Sequence, residues 1–150
     1  MNLRMLLPLF AVVISACGGS SASATAPTPT ATPAGTAPTL QGSFTTSLAL
    51  EDFDTDQCNN AGSWTLTISG TRFNLNQAPL AGCHPRVTNV AGDAFGTDDQ
   101  IQFTEDSNNG CARTDTYRWA PAGDQVRFTM VADSCAPRII ILTKNPWSRR

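Results

Sequence analysis

The side chains that could carry catalysis are few and widely separated in this chain of 150 residues. The one histidine, His84, has neither a nucleophile nor an orienting carboxylate beside it in the sequence. The acidic loop over residues 51–60 has the composition of a calcium site, but Gln57 and Ser63 stand where an EF-hand needs glycine and glutamate. No Gly-x-Ser-x-Gly, phosphate-binding or Cys-x-x-Cys motif occurs. The sequence therefore predicts a binding protein and not an enzyme, with no catalytic residues, no metal site and no cofactor.

A polar pair that precedes two aromatic residues indicates a ligand site. Arg113, Asp115, Tyr117 and Trp119 recur at every second position, so in an extended strand their side chains share one face. If that face is the interior, the two charged residues lie near the mouth of the fold, above an aromatic floor, and anchor the headgroup of a small ligand. Alternatively, Arg113 and Asp115 form an ion pair that closes this end of the fold. The sequence leaves both interpretations open.

The same period of two runs through most of the chain and predicts β-strands. Three strands lie between residues 100 and 132, where turn sequences rich in Asn, Gly and Asp separate them. Three further strands are predicted between residues 42 and 76, and a more weakly patterned strand is predicted over residues 86–90. We expect an all-β domain over residues 40–150. Its predicted architecture is an up-and-down antiparallel β-barrel of about eight strands, because closure removes exposed strand edges.

The last strand is predicted over Arg138–Thr143. Its centre, Ile139-Ile140-Ile141-Leu142, is apolar on both faces, as expected of a strand that is covered on both sides. We expect Pro146 and Trp147 of the C-terminal tail to fold back and provide part of that cover.

Four cysteines lie in alternate predicted loops, at Cys58, Cys83, Cys111 and Cys135. Successive loops of an up-and-down barrel alternate between its two ends, so all four cysteines fall at one end. Disulfides between neighbouring loops then pair Cys58 with Cys83 and Cys111 with Cys135, or Cys58 with Cys135 and Cys83 with Cys111. We favour the first pairing. A disulfide framework is typical of an exported protein.

The N-terminal segment has the pattern of an export signal. Arg4 supplies a positive charge, and the short apolar run Met5–Ile14 follows it. Ile14-Ser15-Ala16-Cys17 then resembles a bacterial lipobox, in which the cysteine sulfur receives a diacylglyceryl group and the leader is cleaved before the cysteine. This resemblance implies a signal peptide over residues 1–16, and a lipoprotein that is exported and anchored to the membrane of the cell envelope through acylated Cys17.

Residues 17–39 form a predicted disordered tether. After the cysteine this segment consists of Gly, Ser, Ala, Thr and Pro, and it has no side chain large enough to build a core. Its Thr-Pro repeats favour extended polyproline geometry. The formal net charge of the chain is −2, and no basic run occurs beyond Arg149-Arg150. Nucleic acid is therefore not an expected partner, because binding it needs clustered Lys and Arg.

Several short motifs resemble those of the lipocalin-like, or calycin, barrels. Gly62-Ser63-Trp64 is similar to the calycin Gly-x-Trp, although Gly42-Ser43-Phe44 is an alternative match on the first predicted strand. Tyr117-Arg118-Trp119 and Cys135-Ala136-Pro137-Arg138 also fit the resemblance. In calycins an arginine near the last strand packs over the tryptophan, which implies that Arg138 packs over Trp64 as a structural pair. The resemblance also implies a small hydrophobic or amphipathic ligand.

The number of inward aromatic rings limits the space for such a ligand. Alternation directs seven rings to the interior, those of Phe44, Trp64, Phe73, Phe103, Tyr117, Trp119 and Phe128. An eight-stranded barrel is just wide enough to be filled by side chains or to hold one small ligand. Two function classes therefore remain, a carrier of a small hydrophobic molecule and a protein-interaction module, such as an envelope scaffold or a protease-inhibitor-like barrel with a filled core.

Overall fold

Eight β-strands, each antiparallel to the next, close into a barrel in the computed structural model. The strands are β1 (Gly42–Leu48), β2 (Gly62–Ser69), β3 (Arg72–Pro79), β4 (Asn89–Gly96), β5 (Gln100–Glu105), β6 (Thr114–Ala122), β7 (Gln125–Ala132) and β8 (Trp147–Arg149). The order around the barrel is the order along the chain, and β8 pairs with β1 to close it. The predicted up-and-down barrel is confirmed.

The structure describes residues 35–53, 57–85, 87–107, 111 and 113–150. The predicted signal peptide, the lipobox with Cys17 and most of the predicted tether lie outside the described residues. Within the described part of the chain, no helix has the length and apolar character needed to cross a bilayer.

Alternation along the strands separates the core from the surface. On β2, Trp64, Leu66 and Ile68 are buried, whereas the residues between them face outward to differing extents. Two glycines begin strands in a backbone conformation that L side chains rarely adopt, Gly42 with φ 120° and Gly62 with φ 133°. At Gly62 a side chain would also collide with the carbonyl oxygen of Ala78 on the neighbouring strand.

The predicted strand Arg138–Thr143 is wrong, because this segment belongs to a helix. Two short helical turns precede it in the chain, a 3₁₀ helix (Leu50–Asp52) and α1 (Gln57–Asn60), and the longer helix is α2 (Ala136–Thr143). Proline in the first turn of α2 has the backbone angle that a helix needs there. The buried residues of α2 are Arg138, Ile141 and Leu142. That spacing of three and four is helical, but a run of four apolar residues hides it.

The eighth strand is instead the C-terminal tail itself. β8 pairs with β7 at Gln125 and Val126, and with β1 at Phe44 and Thr45. Trp147 was expected to cover a strand, but it begins one and is fully buried. Its indole Nε1 donates a hydrogen bond of 3.1 Å to the carbonyl oxygen of Leu142. This bond connects the end of α2 to the strand that closes the barrel.

The ordered domain begins before residue 40, the predicted boundary. The backbone N–H of Gly96 donates to the carbonyl oxygen of Thr36, and the Thr36 hydroxyl donates to the Gly96 carbonyl oxygen. Pro38 and Leu40 are buried. Residues 35–39, which composition assigned to the tether, therefore lie against the turn between β4 and β5. β4 likewise runs through Gly96, beyond the predicted end of the fourth strand.

Aromatic rings fill the interior of the barrel, as their number predicts. Neighbouring rings meet at centroid distances between 4.9 and 6.5 Å, in the order Phe73, Phe103, Tyr117, Phe128 and Trp147. Most of these contacts have edge-to-face geometry, which is favourable for aromatic pairs. A residual cavity of ≈ 10 Å³ lies between Phe103, Leu66 and Leu142. This volume is too small for an organic ligand.

Candidate functional site

The loops at one end of the barrel are joined by two disulfides. Cys58–Cys83 connects the β1–β2 loop to the β3–β4 loop, with a Cα–Cα distance of 4.9 Å. Cys111–Cys135 connects the β5–β6 loop to the segment between β7 and α2, with a Cα–Cα distance of 5.4 Å. This is the pairing that the sequence favours. Each bridge spans about 25 residues, and a closed loop of that size stabilises a fold by roughly 3 kcal/mol in the chain-entropy model.

A cavity of ≈ 480 Å³ opens between these disulfide-bonded loops. Trp64, Leu75, Val90 and Ile141 provide its apolar lining, from three strands and from α2. Its further lining residues are Asn59, Asn60, His84, Val87, Glu105, Cys111, Cys135, Pro137 and Arg138. We call this space the mouth cavity. Its volume lies within the range of small-molecule sites.

Trp64 is held in place at the floor of the mouth cavity. The strand β2 directs its side chain inward, where only 3% of its surface is exposed. The indole Nε1 donates a hydrogen bond of 2.8 Å to the carbonyl oxygen of Asn60, at the end of α1. The ring orientation is therefore fixed by the loop that carries Cys58.

Arg138 lies under the mouth cavity at the centre of three carboxylates. It comes from the first turn of α2, and its guanidinium lies 2.7 Å from Glu105 Oε1, 2.7 Å from Asp115 Oδ2 and 2.7 Å from Asp133 Oδ1. Glu105 ends β5, Asp115 lies near the start of β6, and Asp133 follows β7. All four side chains are at least nine-tenths buried. We call these four residues the Arg138 cluster.

Asp133 is held by donors from three different residues. It accepts hydrogen bonds from Arg138, from the hydroxyl of Tyr117 and from the backbone N–H of Cys135. The Cys111–Cys135 disulfide is thus connected to the Arg138 cluster by the hydrogen bond from the backbone N–H of Cys135 to Asp133. By contrast, neither oxygen of Asp115 accepts a well-aligned hydrogen bond, although its ion pair with Arg138 is short.

The difference in hydrogen bonding separates the pKa of Asp115 from that of Asp133. Burial, together with the nearby Asp133 and Glu105 carboxylates, raises the pKa of Asp115 to about 7, and the attraction of Arg138 only partly offsets it. Burial also acts on Asp133, but hydrogen bonds from Arg138 and Tyr117 outweigh it and lower the pKa of Asp133. Burial and the bond to Asp133 raise the pKa of the Tyr117 hydroxyl. The pKa of Arg138 is raised because, despite burial, its carboxylate partners favour the charged form.

The four residues predicted to form a ligand site do not meet in one cavity. Arg113 is exposed, so its predicted inward direction is wrong. It precedes β6, and its Nε donates a hydrogen bond of 2.8 Å to the backbone oxygen of Glu105. Asp115 does point inward, as predicted, but its cationic partner is Arg138 and not Arg113. The alternative interpretation, an ion pair of Asp115 at this end of the barrel, therefore holds with Arg138 in place of Arg113.

The two aromatic residues of that predicted site are also separated. Tyr117 is completely buried in the core and donates its hydroxyl proton to Asp133. Trp119 lies toward the opposite end of the barrel, where it borders a surface hollow together with Leu40 and Val126. The mouth cavity uses Trp64 as its aromatic residue instead.

Sequence reasoning missed Glu105 and Asp133 and gave Arg138 a different role. Glu105 follows the alternation of Ile101 and Phe103, so its inward direction was available as a signal. Asp133 follows β7, and its direction depends on the turn into α2, which the sequence did not predict. His84 is exposed at the rim of the mouth cavity. In the described part of the chain, no group of three or more His, Cys, Asp or Glu side chains is arranged to hold a metal ion.

Comparison with known proteins identifies no relative. No model of a known protein family matches the chain, and neither the curated proteins nor the solved structures contain a significant match.

The expected packing of Arg138 over Trp64 stays a prediction, and both residues line the mouth cavity. A different arginine–aromatic contact lies at the other end of the barrel. Arg138 is held by carboxylates, whereas the guanidinium carbon of Arg149, on β8, lies 5.2 Å from the centroid of the Phe44 ring, on β1. Phe44 belongs to Gly42-Ser43-Phe44, the alternative Gly-x-aromatic match. An arginine of the last strand therefore packs over the aromatic residue of the first strand, at the end of the barrel opposite the mouth cavity.

Proposed function

We propose that this protein is a lipid-anchored lipoprotein of the cell envelope, and that its lipocalin-like barrel binds a small hydrophobic or amphipathic ligand. The observation that carries the ligand-binding proposal is the mouth cavity of ≈ 480 Å³, with its apolar lining and its few buried charged groups. Binding sites for small molecules combine these features. The two disulfides support an extracytoplasmic location.

The ligand occupies the mouth and not the centre of the barrel. The space below the mouth cavity, between Leu66, Phe103 and Leu142, measures ≈ 10 Å³ among the described residues, which is too small to admit a ligand. The closed barrel of eight strands and the contact between Phe44 and Arg149 support the lipocalin-like assignment. Lipidation at Cys17 is supported by the lipobox, which lies outside the described residues.

A matched pair of rim variants tests ligand binding. Val87 and Leu80 lie in the same loop with similar exposed fractions, 37% and 39%, and only Val87 lines the mouth cavity. The uncharged fluorescent probe N-phenyl-1-naphthylamine is titrated into the unmodified domain and into each variant. We expect Val87→Trp to weaken probe binding, because the larger side chain fills the entrance, and Leu80→Trp to leave it unchanged. Absence of probe binding to the unmodified domain contradicts the carrier function.

A second function, protein interaction, is favoured by one further observation. Among the described residues, the five exposed large hydrophobic side chains all lie at the disulfide-bearing end, at Leu50, Leu80, Val87, Met130 and Val131. Exposed apolar residues gathered at one end of a rigid fold are typical of a protein-binding surface. If this function is correct, cross-linking in intact cells yields a discrete adduct that Val131→Lys removes without affecting probe binding. Met130 and Val131 are absent from the cavity lining, which makes the two functions separable.

A further inference from the structure

An excess of negative charge is buried at the floor of the mouth cavity. The Arg138 cluster contains three carboxylates and one guanidinium, so it carries a net charge of −2 when every group is ionised. It keeps an excess negative charge even when Asp115 holds a proton. Glu105 and Arg138 are the members of the cluster that line the cavity. Of the other described lining residues, only His84 can become positively charged.

Arg138 is poorly placed to attract an anion. Its Nε, Nη1 and Nη2 atoms already contact carboxylates at 2.7 Å, and any anionic ligand would approach Glu105 at the same time. Arg113 is exposed and donates its Nε–H to a backbone oxygen. The described residues therefore provide no uncompensated cation at the cavity floor.

A cation, however, meets two suitable groups there. Trp64 offers an aromatic ring whose orientation is fixed by Asn60, and Glu105 offers a buried carboxylate in the same lining. Aromatic faces and carboxylates are the groups that recognise ammonium ions in proteins. Leu75, Val90 and Ile141 supply an apolar surface for the remainder of the ligand.

We propose that the mouth cavity selects a cationic amphiphile, with its ammonium group between Glu105 and Trp64 and its hydrocarbon part against Leu75, Val90 and Ile141. This inference rests on the proposed ligand-binding function and specifies the class of ligand. An inward Arg113, as the sequence predicts, would attract an acidic headgroup, but Arg113 is exposed.

Three ligands with the same alkyl chain test this selectivity. Decylamine, decanol and decanoate are titrated at neutral pH, below their aggregation limits, and binding is measured by calorimetry and tryptophan fluorescence. We expect the amine to bind most tightly and the carboxylate most weakly. This order requires no variant, so the test does not depend on the folding of an altered protein. If decanoate binds as tightly as decanol, or more tightly, the inference is overturned but the ligand-binding function is not. Failure of all three to bind overturns the ligand-binding function as well.

A charge-removing variant then locates the ammonium group. Because a charge-assisted hydrogen bond is lost, Glu105→Gln should lower the affinity for decylamine by about tenfold or more, while the affinity for decanol stays the same. Glu51→Gln removes the same charge from an exposed position at the same end of the barrel and serves as the control. An equal loss of decylamine affinity in both variants would show a general field effect and overturn the assigned position. Thermal unfolding of Glu105→Gln verifies that the barrel remains folded.

Discussion

The Nε atom of Arg138 lies 2.7 Å from Oδ2 of Asp115, and this contact joins helix α2 to strand β6 inside the barrel. Glu105 and Asp133 complete the ion cluster from β5 and from the end of β7. One guanidinium therefore fixes α2 against three separate parts of the sheet. Buried ion pairs of this kind are costly to break from one side, because the remaining charge has no water to solvate it.

Asp115→Asn should change the pH dependence of stability. The pKa of Asp115 is about 7 in the folded protein, whereas the ordinary pKa of this carboxyl group is 3.8. Between these pH values the folded state binds more protons than the unfolded state, so the free energy of unfolding falls as the pH rises. Asparagine does not titrate, so it removes this loss. We expect the free energy of unfolding of Asp115→Asn, relative to that of the wild type, to be higher at pH 8 than at pH 5. Urea denaturation across this range measures the effect.

The matched control is Asp98→Asn, because Asp98 is exposed. Asp133 does not mask the effect, because its lowered pKa confines its contribution to acidic solutions, where stability is lost as the pH falls below the ordinary range of a carboxyl group. Identical pH profiles for Asp115→Asn and wild type would contradict the assignment of this titration to Asp115.

Arg138→Met should destabilise the barrel by about 3–5 kcal/mol, since it leaves buried carboxylates without their cation. We expect the loss to be smaller at pH 5 than at pH 8, because protonation of Asp115, whose pKa is raised to about 7, removes one of the buried negative charges. Arg72→Met is the control, since Arg72 also bridges two carboxylates, Asp93 and Asp106, but lies at the surface. Its substitution should have little effect on the urea midpoint. A similar loss for both variants would mean that burial of the Arg138 cluster has no special energetic role.

Arg149→Ala tests the contact that closes the opposite end of the barrel. Loss of the cation–π contact with Phe44 should lower the free energy of unfolding by about 0.5–1 kcal/mol. Arg150→Ala removes the same charge from the next residue and should have a smaller effect. If the two variants have the same unfolding free energy, the stacking of Arg149 on Phe44 does not contribute to stability.

Cys17→Ser tests membrane anchoring. In bacterial lipoproteins the cysteine sulfur is the atom that receives the diacylglyceryl group. The variant should therefore not incorporate radioactive palmitate and should retain its leader in the expressing cell. Labelling of the membrane fraction, with mass analysis of the N-terminus, measures both results. Cys17→Ser leaves the four barrel cysteines in place, so disulfide formation provides an internal control for export. Equal palmitate incorporation into variant and wild type would exclude lipidation at this residue.

Local patterns were sufficient to determine the barrel and its disulfide-bearing end. Alternation of apolar and polar residues identifies strands such as β2 and β7, because a strand directs successive side chains to opposite faces. Short turns between those strands then require an antiparallel meander. Cysteines in alternate loops fall at the same end for the same geometric reason. That geometry leaves two pairings of neighbouring loops open, and the structure has the favoured one, Cys58–Cys83 with Cys111–Cys135.

The tertiary structure decided how the barrel closes and which residues form the candidate site. The run Ile139–Leu142 is apolar at every position, so its pattern is compatible with either a strand or a helix. It becomes helical because Ile141 and Leu142 then pack inward together with Arg138, and the short strand at Trp147 closes the sheet instead. The charged side chains of the candidate site come from separate segments of the chain. Arg138 pairs with Glu105 and Asp133, whereas Arg113 donates to a backbone oxygen. Which charges meet depends on packing between residues as many as 33 positions apart, and local spacing does not specify those distances.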